Sequence, residues 1–176
     1  MIPKNCYENY PKGFVIGANI LQLLIYFIGA YIIYLIGLIW LIIFVLYILI
    51  LEFRLLKLSC IHCYYYGKTC AFGRGKLCSL FFKKGNPNNF IDKKIKWKDL
   101  IPEFMLSIVP TIIGIALIIL NFNLIIFLLI VFLLILSFPL NGYLRGSLAC
   151  INCKQREIGC PAEQFFRKNK NKKKIN

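Results

Sequence analysis

The chain is poor in the groups on which most enzymes run. It holds one histidine, His62, and seven acidic residues among 176. With so few imidazoles and carboxylates, no acid–base constellation can be picked out. Charge is missing altogether from two long stretches, between Lys12 and Glu52 and between Glu103 and Arg145. Proton and ion pathways place ionisable groups at membrane depth, so a proton-coupled pump is disfavoured. Even uncharged polarity is scarce there. Asn19 and Gln22 share one helical face and are expected to hydrogen-bond to a neighbouring helix. Gly13 and Gly17 read as a small-residue packing pair, and Pro110 as a kink in the third span.

What the chain does contain is apolar bulk and positive charge, kept apart. Hydrophobic residues make up 59% and charged residues 16%; soluble domains run at about 45–50% and about 25%. The formal net charge is +15, from 22 basic and 7 acidic residues, and the mean hydropathy is +0.69. The first uncharged block, Phe14 to Leu51, is 38 residues long. As one straight helix it would run to about 57 Å, against a hydrocarbon core of about 30 Å. It therefore folds as two helices, with a reversal expected at Gly29-Ala30 before Tyr31 and Tyr34. The second block, Phe104 to Pro139, divides at Asn121-Phe122-Asn123. The predicted spans are 14–30, 33–52, 104–120 and 124–140.

This reading gives an all-α integral membrane protein of four transmembrane helices in two tandem hairpins, each followed by a Cys-rich cytoplasmic segment. The basic residues lie before the first span, between Arg54 and Lys98, and from Arg145 onward, and none lies in a hairpin turn. The positive-inside bias then puts both termini in the cytoplasm of a cell-membrane protein. A secretory signal is the weaker reading of the first block, because a segment carrying Glu8 precedes it and the block far exceeds an h-region.

The two halves repeat one order of parts. Cys60-Ile61-His62-Cys63 and Cys150-Ile151-Asn152-Cys153 are both C-x2-C, followed after six residues by Cys70 and Cys160. Phe81-Phe82-Lys83-Lys84 has its match in Phe165-Phe166-Arg167-Lys168. Repeat 1 covers 1–90, with its hairpin at 14–52 and its Cys-rich segment at 60–84. Repeat 2 covers 91–176, with its hairpin at 104–140, its Cys-rich segment at 150–168 and a basic tail. Each unit crosses the membrane an even number of times, so the implied pseudo-two-fold axis runs along the membrane normal.

In a reducing compartment such cysteines read as metal ligands or redox groups. A C-x2-C turn points two sulfurs at one ion and leaves positions for more distant ligands. Cys60, Cys63, Cys70 and Cys78 offer zinc a closed thiolate set, with His62 a poorer substitute. Cys150, Cys153 and Cys160 offer three. Each copy holds its own metal, or the two triplets meet and share one; spacing leaves both arrangements open. Iron–sulfur ligation uses the same thiolates, although the six-residue gap departs from ferredoxin spacing. Dithiol redox chemistry is a further alternative, and Cys6 reads as an isolated thiol.

Other motifs carry less. Gly67-Lys68-Thr69 lacks the first glycine of a phosphate loop, because position 62 is histidine. Gly73-Arg74-Gly75-Lys76 reads as a turn with solvated charges, or as a wrap for an anionic headgroup. Lys93, Lys94, Lys96 and Lys98, and the run Arg167 to Lys174, suit electrostatic docking on anionic lipid. Nucleic acid is not expected as a partner.

The runs Cys60–Lys68 and Cys150–Ala162, with Phe72-Gly73-Arg74-Gly75-Lys76, resemble small uncharacterised multi-pass membrane proteins of archaea that carry duplicated C-x2-C-x6-C segments. The resemblance implies a layout but no activity, cofactor or catalytic residue. The expected role is non-enzymatic: cytoplasmic metal–thiolate modules, with zinc as the metal, serving structure or interaction with lipid, a protein partner or a second copy. A membrane redox protein is the alternative, and a small transporter or channel subunit a further one.

Overall fold

The computed structural model describes residues 6–91 and 97–161. Its helices are α1 (Lys12–Tyr34), α2 (Leu38–Leu58), α3 (Arg74–Phe81), α4 (Asn88–Ile91), α5 (Trp97–Leu120), α6 (Leu124–Ile135), α7 (Asn141–Tyr143) and α8 (Gln155–Gly159). Among the described residues there is no strand, only an isolated bridge between Tyr7 and Cys153. Four helical stretches are long and apolar enough to cross a bilayer: Lys12–Tyr34, Leu38–His62, Lys98–Leu120 and Leu124–Ala149. The shortest has 23 residues, which at about 1.5 Å per residue spans a core of about 30 Å.

Several boundaries differ from those predicted, and α5 already begins at Trp97. α1 runs through Gly29-Ala30 and reverses at Leu35–Gly37, where Gly37 adopts φ 151°, a conformation that side chains disfavour. Gly29 serves instead as a crossing point. A Cβ there would lie 3.2 Å from Phe44 of α2 and 3.3 Å from Pro110 of α5. α2 continues past residue 52 to Leu58. The last span also continues past residue 140, because π-helical turns at Leu136–Leu140 and Leu144–Ala149 carry it on. Pro139 lies in the first of these; having no N–H, it cannot complete an α-helical ladder there.

The packing is centred on α1 and α5, with α2 against α1 and α6 against α5. Leu21, Ile25, Ile28 and Ile32 form one stripe of α1 at helical spacing, buried with Ile130, Leu133 and Leu136. Ile33, Phe44 and Leu106 form a second core between α1, α2 and α5. Gly114 lets α5 close on α6; a Cβ there would fall 2.6 Å from Ile130 Cδ1. Ser107 Oγ donates to Ser137 Oγ at 2.8 Å, one polar stitch in an apolar interface. Apart from Phe44 and Leu56, the side chains of α2 reach the surface, and most are large and apolar.

The predicted packing pair Gly13 and Gly17 is not one among the described residues, where nothing lies within 4 Å of a Cβ at either position. Among the described residues Asn19 does not bond across to a helix. Its Nδ2 donates to Val15 O at 2.7 Å and to Phe72 O at 3.4 Å, so it holds a loop.

Candidate functional site

One C-x2-C motif follows α2 and the other follows the helical stretch Leu124–Ala149, and both make the same backbone bonds. Cys63 N donates to Cys60 O at 3.3 Å, and Cys153 N to Cys150 O at 3.4 Å. One step further on, Tyr66 N donates to Cys63 O and Arg156 N to Cys153 O, each at 3.0 Å. In both turns a backbone N–H two residues ahead, that of Tyr65 for Cys63 and of Gln155 for Cys153, favours the thiolate of the second sulfur. Every one of these bonds recurs at the same offset of 90 that relates the cysteines.

The two turns also hold each other. Tyr64 N donates to Gln155 Oε1 at 2.6 Å, and Lys154 N donates to the Tyr65 hydroxyl at 3.0 Å. Residues 64 and 154 are counterparts, as are 65 and 155, so each turn offers an N–H to the other's side chain. Reciprocal contact of this kind is the pattern of a two-fold interface. Both reaching side chains are deeply buried, Tyr65 at 2% exposure and Gln155 at 4%.

The segment before α1 straps the pair together. Tyr7 N donates to Asn152 O at 3.0 Å, while Tyr10 N donates to Thr69 O at 2.9 Å. Tyr65 Oη donates to Tyr7 O at 2.5 Å and Tyr10 Oη to Ala149 O at 2.6 Å. Burial pushes both phenols up, which keeps the protons these bonds require. On the surface, Lys154 Nζ reaches Glu8 at 2.9 Å and holds that carboxyl below its ordinary value.

Tyr10, Tyr65, Ala71 and Ala149 make a small core of their own, against which Cys63, Cys70 and Cys153 pack. The cysteines of the two segments lie within electrostatic reach of one another. Cys63 feels the charges of Cys70 and Cys160, and Cys153 those of Cys63, Cys160 and Cys150. Cys60 is likewise within reach of Cys70, Cys78 and Cys63. Burial, chiefly, pushes the Cys63 thiol up to about 11 and the Cys153 thiol up to about 12; neighbouring thiolates add to this, and the backbone N–H groups oppose it. Gly75 N donates to Cys70 Sγ at 3.4 Å. Cys78, fully buried, donates to Leu56 O at 3.7 Å, and burial raises it too.

No disulfide joins the cysteines among the described residues. Nor, among those residues, do three or more His, Cys, Asp or Glu side chains converge at ligating distance. The donor set still fits a soft divalent ion: packed thiols from two facing turns, with backbone N–H groups aimed at sulfur. Cys60, Cys63, Cys70, Cys150, Cys153 and Cys160 are all half-buried around one pair of turns. His62 is turned away, its Nδ1–H donating to Asn86 O at 2.8 Å. Cys6 lies beside Glu157, close to the second turn.

In Gly73-Arg74-Gly75-Lys76 the first cation is not solvated, whereas Lys76 is exposed. Arg74 makes a two-point pair with Glu52 at 2.9 and 2.5 Å, and Tyr26 Oη donates to the same carboxylate at 2.6 Å. Gly75 is buried so closely that a Cβ would meet Tyr65 O at 2.1 Å. Lys93, Lys94 and Lys96, the second Phe-Phe pair and the tail from Arg167 lie outside the described residues.

Sequence reasoning missed Tyr65, Gln155 and the Tyr7–Tyr10 strap. The offset of 90 does pair Tyr65 with Gln155, but unlike residue types give no signal of a shared role. No protein family, curated protein or solved structure matches the chain.

Proposed function

We propose that this chain is a multi-pass membrane protein, built from two tandem helical hairpins, whose cytoplasmic end carries a metal–thiolate module of structural or interaction role. One observation carries the reading. Two C-x2-C turns with matching backbone bonds face each other through a reciprocal pair of hydrogen bonds, which brings cysteines from both halves of the chain into one packed cluster. Cys60, Cys63, Cys70, Cys150, Cys153 and Cys160 would hold a shared centre, with Cys78 as an accessory. Zinc is the metal that suits such a donor set in a reducing compartment. When bound it neutralises clustered thiolates and ties together segments too small for a large core. The chain's own residues prepare for this. Tyr65, Gln155 and the Tyr7–Tyr10 strap set the turns face to face, and backbone N–H groups point at the sulfurs that must carry charge.

Thiols raised by burial are poor nucleophiles near neutral pH, which counts against a reactive dithiol. An iron–sulfur centre would use the same sulfurs and is told apart by colour and content. The basic residues around the module favour anionic lipid on its own side of the bilayer, with a protein partner or a second copy as further company.

The test is elemental analysis of protein purified without oxygen, with Cys→Ser changes at the six paired positions. A shared centre loses its metal equally whichever triplet is changed; two separate centres lose half each. Stoichiometric iron with acid-labile sulfide would replace zinc. Metal-free protein, or cysteines tagged by impermeant maleimide from outside intact cells, would overturn the proposal.

A further inference from the structure

We propose that α3 lies in the plane of the bilayer surface, with Leu77, Leu80 and Phe81 sunk among the acyl chains of the leaflet next to the cysteine turns. The inference rests on the membrane reading above but not on the metal.

Four observations lead to it. First, α3 is amphipathic in an unusual sense. Gly75 and Cys78 face inward and are buried, while Leu77, Leu80 and Phe81, at i, i+3 and i+4, share the outer face. Their exposures are 45%, 79% and 70%, too much apolar surface to leave in water on so short a helix.

Second, the helix is fixed at the depth where the apolar span ends. Arg74 is paired with Glu52, the first charged residue after the uncharged block, and Cys78 bonds Leu56 O one turn later. The Phe82 ring meets the Phe53 ring edge-on, with centroids 5.2 Å apart.

Third, the helix ends beside an existing apolar surface. Leu46, Leu49, Ile50, Phe53 and Leu58 line an open groove on the outer side of α2, together with Arg54 and Lys57. Phe82, the residue after Phe81, meets Phe53 of that groove, so the end of α3 borders it.

Fourth, apart from the Glu52 carboxylate taken up by Arg74, the charges around α3 have one sign. Between residues 73 and 85 the ionisable groups beside the cysteines are Arg74, Lys76, Lys83 and Lys84, with no carboxylate among them. A rim of lysines around an apolar face suits anionic headgroups and repels the same face of a second copy. The bilayer is therefore the occupant assigned to this face.

The test places a tryptophan on the face in nanodiscs of mixed phosphatidylcholine and phosphatidylglycerol. Leu80→Trp is made in a Trp40→Phe, Trp97→Phe background, with Phe81→Trp as a second reporter should the first disturb folding. A parent carrying Trp97→Phe alone keeps Trp40, which is exposed on α2 and reports whether that helix is in the bilayer at all. The expected result is at least about twofold quenching at position 80 or 81 by bromines placed shallow in the acyl chains, with weak quenching by acrylamide, as for a helix about 5–10 Å deep. Strong acrylamide quenching there, with Trp40 still quenched by bromolipid, would overturn the inference and spare the membrane reading. Shielding from both quenchers would mean that protein covers the face, and would also overturn it. Loss of bromolipid quenching at Trp40 would remove the membrane reading itself.

Discussion

Replacing Tyr65 with phenylalanine removes a single oxygen from the centre of the cysteine clasp. That oxygen donates to Tyr7 O at 2.5 Å and accepts from Lys154 N at 3.0 Å, so both partners lose their bond at once. The ring is only 2% exposed and stays packed, which confines the change to hydrogen bonding. A typical bond is worth about 1 kcal/mol net, and each buried partner left unsatisfied costs about 1–3 kcal/mol. Tyr7 and Lys154 are partly open to water, which places the sum near the low end, about 2 kcal/mol. Where local opening is fast relative to modification, labelling follows the open population. At tenfold per about 1.4 kcal/mol, N-ethylmaleimide should then label Cys63 and Cys153 about 30-fold faster in the variant at fixed pH. Peptide mass spectrometry of pulse-labelled protein reads each site separately. Gln155→Leu, which deprives Tyr64 N of its acceptor, should have an effect of the same order. The double variant should fall short of additivity by about 1 kcal/mol, because either bond closes the same interface. Rates within about twofold of the parent for both single variants would refute the reasoning that the reciprocal bonds hold the turns together.

Three further outcomes follow from the helices. Glu52→Gln leaves the largely buried Arg74 guanidinium without a charged partner and should cost about 3 kcal/mol in denaturant titration of the micellar protein. Arg74→Lys, which keeps the charge but loses the two-point geometry, should also destabilise, and a loss under about 0.5 kcal/mol for either would contradict the pairing. Gly114→Ala drives a methyl group into Ile130 and should cost about 1–3 kcal/mol. Adding Ile130→Val removes the atom it meets first and should recover at least half of that loss in the same assay. Ser107→Ala gives up a bond to Ser137 inside the apolar bundle and should cost only about 0.6 kcal/mol; a loss above about 2 kcal/mol would mean that this polar stitch carries more of the packing than its geometry suggests.

The four long helices were legible because the absence of charge over tens of residues is a coarse signal that local detail does not disturb. Their ends were less so. Gly29-Ala30 reads as a turn, but a glycine that opens a helix surface to a neighbour looks the same in sequence as one that reverses the chain. Gly37 makes the actual turn and carries no stronger mark. Gly13 and Gly17 show the opposite failure, since their spacing suits a close crossing and no partner comes near. Arg74 was misread for a related reason. A basic residue between two glycines looks solvated until the fold brings Glu52 beside it.

Covalent order alone determined where the apolar blocks lie, where positive charge gathers, and that two C-x2-C motifs sit an equal distance along from their counterparts. Those are properties of composition and spacing, and hydrophobic burial acts on them directly. Which N–H meets which oxygen was decided only when the bundle closed. Tyr65 and Gln155 lie ninety positions apart and differ in chemistry, so nothing in either stretch announces the other. Packing α1 against α5 brings the ends of α2 and of the last span together, and the turns that follow them then have each other as partners.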